Sequence, residues 1–109
     1  MSYKFHEDPG HGWLEVPYNE LVQLGIEKQI SRFSYHNRKS VFLEEDLDLS
    51  TFIEAKLLKD GIITTNEKEK RSFFDKPEYE AWRKQFWSSV DKINYDDIAP
   101  LRNYSSYRN

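Results

Sequence analysis

The chain has 109 residues, enough for one domain around one core. Charged residues make up 32% and hydrophobic ones 38%, but aromatics reach 16% and bury enough area to support a folded domain rather than a disordered chain. Sixteen basic residues against nineteen acidic ones give a net charge of −3, which argues against capture of nucleic acid by a basic face, and the absence of cysteine excludes disulfides and thiolate zinc sites.

Ser2 to His6 alternates and predicts a short strand. Asp8-Pro9-Gly10 is a turn, in which proline presets φ and glycine permits a positive φ. Gly12 to Val16 predicts a second strand, and Pro17 opens a short helix carrying Leu21, Val22 and Leu24, stopped by Gly25. Ile30 to Tyr35 and Ser40 to Glu44 both alternate, with His36 to Lys39 as the turn between them, which makes this the best hairpin of the chain. Asp48 or Ser50 can N-cap the next helix, which buries Phe52, Ala55 and Leu58 and ends at Gly61.

Ile62 to Thr65 is β-branched and predicts a short strand; residues 66–71 form a charged connector expected to be the mobile loop. Pro77 opens the strongest helix, where Tyr79, Trp82, Phe86, Val90 and Ile93 share one face and Trp87 widens the stripe. Pro100 ends whatever continues past Tyr95, and residues 96–109 form a tyrosine-bearing C-terminal arm. The expected architecture is a single α+β domain over residues 1–109, an antiparallel meander of three to five short strands packed against two or three helices. The segment Met1-Ser2-Tyr3-Lys4-Phe5 lacks the apolar core of a signal peptide, and no stretch approaches the ~20 apolar residues of a membrane span, so a cytoplasmic location without membrane contact is expected.

Four groups of residues could carry chemistry. His6, Asp8 and His11 share the first turn and could converge on a divalent metal, with oxygens from Glu44, Glu45, Asp46 or Asp48 and water activated for hydrolysis. The plainer reading, which we prefer, has Asp8 capping the turn through its own backbone and no metal bound. The acidic run from Glu44 to Asp48 could meet a basic partner or, more plainly, precede a helix N-terminus. Trp82 and Trp87 lie ~140° apart around their helix, so one of them is left for an interface, while the stripe itself is core. In the tail, Arg102, Tyr104, Tyr107 and Arg108 could stack on bases or clasp phosphate, with a structural arm the plainer reading. A nucleophile elbow, a P-loop and a dinucleotide fingerprint are all missing.

The runs Asp8-Pro9-Gly10-His11-Gly12-Trp13-Leu14-x-Val16-Pro17, Leu24-Gly25-Ile26, Ile30-Ser31-x-Phe33-Ser34-Tyr35 and Phe42-Leu43-Glu44-Glu45-Asp46-x-Asp48, with the ending Leu101-Arg102-x-Tyr104-x-x-Tyr107, carry a resemblance. They resemble a group of small uncharacterised proteins encoded by phages, prophages and plasmids. Residues 60–95 are particular to this chain, and Leu47 stands where that pattern leads us to expect cysteine, so a thiol role is lost. The resemblance implies origin and fold kinship and carries over no catalytic residue. Small accessory proteins of mobile elements often inhibit or redirect a host or defence factor, an argument from context alone.

The leading expectation is therefore a non-enzymatic binding module acting on a bacterial protein, with no cofactor and no nucleic acid partner. Its expected contact residues are His6, Asp8, His11, Trp13, Glu44, Glu45, Asp46, Trp87, Arg102 and Tyr104, with Trp13 or Trp87 as anchor and the carboxylates steering approach. The alternatives are a metal-dependent hydrolase of nucleotides or nucleic acid, using His6, Asp8 and His11, and a nucleotide sponge built on the aromatic residues.

Overall fold

The computed structural model describes residues 3–108. Among them six strands form one mixed sheet in the order β5-β1-β2-β4-β3-β6. The strands are β1 (Tyr3–Glu7), β2 (Gly12–Pro17), β3 (Tyr35–His36), β4 (Ser40–Glu44), β5 (Val90–Asn94) and β6 (Ser105–Ser106). Four α-helices accompany them: α1 (Tyr18–Gln23), α2 (Asp48–Lys59), α3 (Thr65–Lys70) and α4 (Pro77–Ser88). The α+β class is as expected. The helices number four, not two or three, and the sheet has six strands, not three to five; it is mixed, not an antiparallel meander, because β5 pairs in parallel with β1 from Tyr3↔Val90 to Glu7↔Asn94.

Strand alternation divides the side chains between two faces. Tyr3, Leu14, Val16, Val41 and Leu43 turn to the first face and pack with Leu21 of α1, Phe52 of α2 and Phe86 of α4. A polar group is held inside this layer: the buried Glu20 accepts from the Tyr3 hydroxyl at 2.8 Å and from Lys56 at 3.0 Å. Burial first, then the Glu20 hydrogen bond and charge, push the Tyr3 phenol up to about 12. On the second face lie Trp13, Phe42 and Tyr35, covered by Ala99 and Leu101 of the C-terminal arm.

Several local expectations give way to competing hydrogen bonds. The Ile30–Tyr35 segment is not a strand except at Tyr35, because Asp48 takes it over: its carboxylate accepts from the Ser31 amide and from the Ser31 and Ser34 hydroxyls. For the same reason Asp48 does not cap α2; Leu47 holds the N-cap position without a side-chain bond. Ile62 and Ile63 return their amides to the Leu57 carbonyl instead of forming a strand. Thr64 then caps α3 by accepting from the Glu67 amide, so most of the charged connector is helical. The first predicted strand begins at Tyr3, and Ser2 lies outside the described residues.

The aromatic helix stops at Ser88, where the Ser88 and Ser89 hydroxyls donate to the Gln85 and Phe86 carbonyls. Val90 to Asn94 is thereby released to extend the open edge of β1. The helix stops at Gly25 and Gly61 are as expected, with φ of 72° and 74°, a region that side chains rarely enter. The arm is docked: Ser105 and Ser106 pair with β3, and the Tyr107 amide donates to the Ser34 carbonyl.

Candidate functional site

The second face carries most of the unusual residues. The register aligns Ile93, His6, Trp13 and Glu44 in one row across β5, β1, β2 and β4. Antiparallel pairing of β2 with β4 thus brings the end of the first turn beside the acidic run, two segments more than thirty residues apart in the chain.

Asp8 is the fixed point of this face. Its Oδ1 accepts from the Gly10 and His11 amides at 2.9 and 3.0 Å, and its Oδ2 accepts from the Ala99 amide at 2.9 Å. Arg102 adds a two-pronged pair, Nε to Oδ2 and Nη2 to Oδ1, both at 2.8 Å. The guanidinium, foremost, holds the Asp8 carboxyl well below the usual carboxylate range; burial opposes this and the three amides reinforce it. Arg102 also lies over the Trp13 ring, 4.9 Å from its centre. One carboxylate therefore shapes the turn, anchors the C-terminal arm and sets Arg102 against Trp13. The turn-capping role expected of Asp8 is what the geometry shows.

His6 is a buried cross-link. Glu15 can only accept, so Nε2 donates to it at 2.8 Å, while Nδ1 meets the Tyr95 hydroxyl at 2.9 Å. The ring also stacks on Tyr95 and meets Phe42 edge-on. His6 and Asp8 are thus both committed elsewhere and do not join His11 as a three-residue metal set. Trp13 is only 2% exposed, packed among Phe42, Ala99 and Leu101, so it is core and not the surface anchor anticipated.

Beside this buried floor opens a cleft of about 510 Å³. His11, Trp13, Arg32, Phe33, Glu44, Asp46 and Leu47 are among the residues that line it. Phe33 is 57% exposed and Leu47 49%, large apolar groups held in water. Glu44 is buried, and its Oε2 accepts from the Asp46 and Leu47 amides at 3.0 Å each. Burial raises its carboxyl above the ordinary value, the two amides oppose this, and the nearby Asp46 charge adds to the rise. His11, Glu44 and Asp46 each offer one ligand atom, all within 4.8 Å of one another.

Other predicted contact residues fall elsewhere. Tyr104 is exposed and leans on Phe42 at 5.3 Å. Glu45 and Trp87 belong to the helix side of the sheet, where with Tyr79 and Trp82 they border a groove of about 200 Å³, small against the ~300 Å³ at which ligand pockets usually begin. Trp87 is half-buried there against Phe5 and Phe86. Phe33 and Arg32 were missed because a strand was expected across Ile30–Tyr35; the serines on either side of Phe33 were the available sign that this segment turns.

No helix among the described residues is long and apolar enough to cross a membrane. Neither a family model, nor a curated protein, nor a solved structure matches this chain.

Proposed function

We propose that this chain is a non-enzymatic binding module, an accessory protein of a phage or related mobile element, and that it engages a bacterial protein in the cytoplasm through the cleft of the second face. The origin rests on the resemblance carried by residues 8–17, 30–35, 42–48 and 101–107. The binding reading rests on one observation: Phe33 and Leu47 stand exposed at a single cleft. Water-exposed apolar side chains flanked by Arg32, His11 and Asp46 have the make-up of an interface, with apolar anchors inside a polar rim.

The floor supports this reading. Asp8, Arg102 and Trp13 are locked by hydrogen bonds and packing, so the cleft needs little reordering on binding. The acidic run steers approach toward a partner with a basic patch. The anchors therefore shift from Trp13 and Trp87 to Phe33 and Leu47, with Arg102 positioning the floor beneath them. The test is binding by Phe33→Asp and Leu47→Asp variants. Both side chains are exposed, so each variant keeps its thermal stability and loses the partner. Retention of the partner by both variants would move the interface elsewhere.

A second reading, metal-assisted hydrolysis, draws on the convergence of His11, Glu44 and Asp46. It requires that these residues hold a cation, which is a separate matter from protein binding.

A further inference from the structure

We infer that a pocket at the start of β4 binds a small phosphorylated ligand of the nucleoside monophosphate class. It lies at the opposite end of β4 from Glu44 and is separate from the cleft proposed to engage a protein, so each stands without the other.

Four stretches of chain build the pocket. Pairing of Pro17 with Ser40 sets the start of α1 beside the turn before β4, and the Tyr18 amide donates to the Lys39 carbonyl at 2.9 Å. Asn37 ties that turn, its Oδ1 accepting from the Lys39 and Ser40 amides. Glu27 and Lys28 form the third stretch, and the end of the C-terminal arm is the fourth. There the Tyr107 hydroxyl donates to the Glu27 carbonyl, and the Arg108 guanidinium donates to the Ile30 and Lys28 carbonyls. The enclosed volume is about 500 Å³, inside the ~300 to 1,000 Å³ range of small-molecule sites.

Charge gives the pocket its preference. Lys28, Arg38 and Arg108 line it against a single carboxylate, Glu27, three positive charges less one negative, on a chain whose net charge is −3. None of the three cations forms an ion pair among the described residues, whereas Lys56, Lys76 and Arg102 each hold a carboxylate. Arg108 is fixed on neutral carbonyls, which position it and leave its charge uncompensated. Cations gathered around a concavity focus a positive potential there, and guanidinium with ammonium is a donor set suited to phosphate oxygens.

The aromatic residues are a second observation, independent of charge. Tyr18 stands 42% exposed beside the pocket, and Tyr107, met edge-on by His36 at 5.8 Å, lines it too. Tyrosine rings beside phosphate-binding groups suit a ligand that carries a planar ring as well as a phosphate, because a base stacks on such a ring. Three lining cations match one phosphate group; a nucleic acid strand needs a longer basic track.

The test uses the full chain without an affinity tag, titrated calorimetrically at low salt with AMP, GMP, CMP and UMP, with their nucleosides, and with inorganic phosphate. At least one nucleotide is expected to bind at one per chain, about tenfold or more tightly than its nucleoside and than phosphate. The Lys28→Gln/Arg38→Gln double variant changes two exposed side chains and should keep the melting temperature while weakening the nucleotide about tenfold or more. Tyr18→Ser should weaken the nucleotide and leave phosphate unchanged. Lys92→Gln, an exposed cation on the far edge strand β5, should leave both unchanged. Absence of saturable binding by any nucleotide overturns the assignment, as does a nucleoside or phosphate that binds as tightly as the nucleotide. Full binding by the double variant, or an equal loss in Lys92→Gln, overturns it too.

Discussion

Leu14, Val16, Val41 and Leu43 leave the sheet on one side and meet helices; Trp13, Glu15, Phe42 and Glu44, their immediate neighbours in the same two strands, leave it on the other, where Trp13 and Phe42 meet the C-terminal arm. The first side excludes water around aliphatic and aromatic groups, with the Tyr3–Glu20–Lys56 cluster as a polar anchor. The second side is held by directed bonds: Asp8 to Arg102 and three amides, His6 to Glu15 and Tyr95. The period of two thus divides the eleven residues of β2 and β4 between the side that packs on helices and the side on which recognition is proposed. Directed bonds fix positions, which is what a recognition surface needs; apolar packing supplies most of the folding free energy.

The sharpest way to break this contrast is to empty each side in turn. Phe52→Ala, at a fully buried position on the helix side, is expected to cost about 3 to 5 kcal/mol in denaturant unfolding. Asp8→Ala should cost about 3 kcal/mol, because it strands Arg102 and leaves three amides without their acceptor. A loss from Asp8→Ala below that of an ordinary surface change, about 0.5 kcal/mol, would remove the clasp from the account.

Acidity separates the sides further. Asp8 has a folded-state pKa below its unfolded value, so its contribution is fully present above about pH 4 and fades as the pH falls through the lowered value. The stability gap between wild type and Asp8→Asn should therefore hold constant from pH 7 to about pH 5 and narrow below pH 4. Tyr3 has the opposite sign. Its folded pKa is raised to about 12, so its contribution is complete below the unfolded value of 10.0 and is lost between the two. Tyr3→Phe should cost about 1 kcal/mol at neutral pH and remove part of the alkaline loss. The smallest expected effect is at the rim: Phe33→Asp and Leu47→Asp should stay within about 0.5 kcal/mol of wild type.

Periodicity made β1, β2, β4, α2 and most of α4 legible, because each buries a face and the burial is written in the spacing of apolar residues. The failures share a cause. Ile30–Ser34, Ile62–Thr65 and Val90–Asn94 are short, and their backbones are decided by partners outside the segment: the Asp48 carboxylate and the open edge of β1, both distant in the chain, and the Leu57 carbonyl at the end of the preceding helix. Two local signs were there: the serines flanking Phe33, and at Thr64 to Glu67 a threonine followed three residues later by glutamate. The density of special residues from His6 to Trp13 marked a segment that folds into one hydrogen-bonded cluster on the second face. Their division of labour was not legible, since whether Asp8 faces a metal or Arg102 depends on where residue 102 lands, 94 positions away. Trp13 offered the same ambiguity between anchor and core, resolved by the arm that covers it.

The central claim is that the cleft at Phe33 and Leu47 binds a bacterial protein. It is tested most directly by parallel affinity capture from bacterial lysate on immobilised wild type and on the folded Phe33→Asp/Leu47→Asp double variant, read by quantitative mass spectrometry. The account predicts one protein held by wild type at near-equal amount and lost from the variant. The same proteins on both, or none on either, would contradict it.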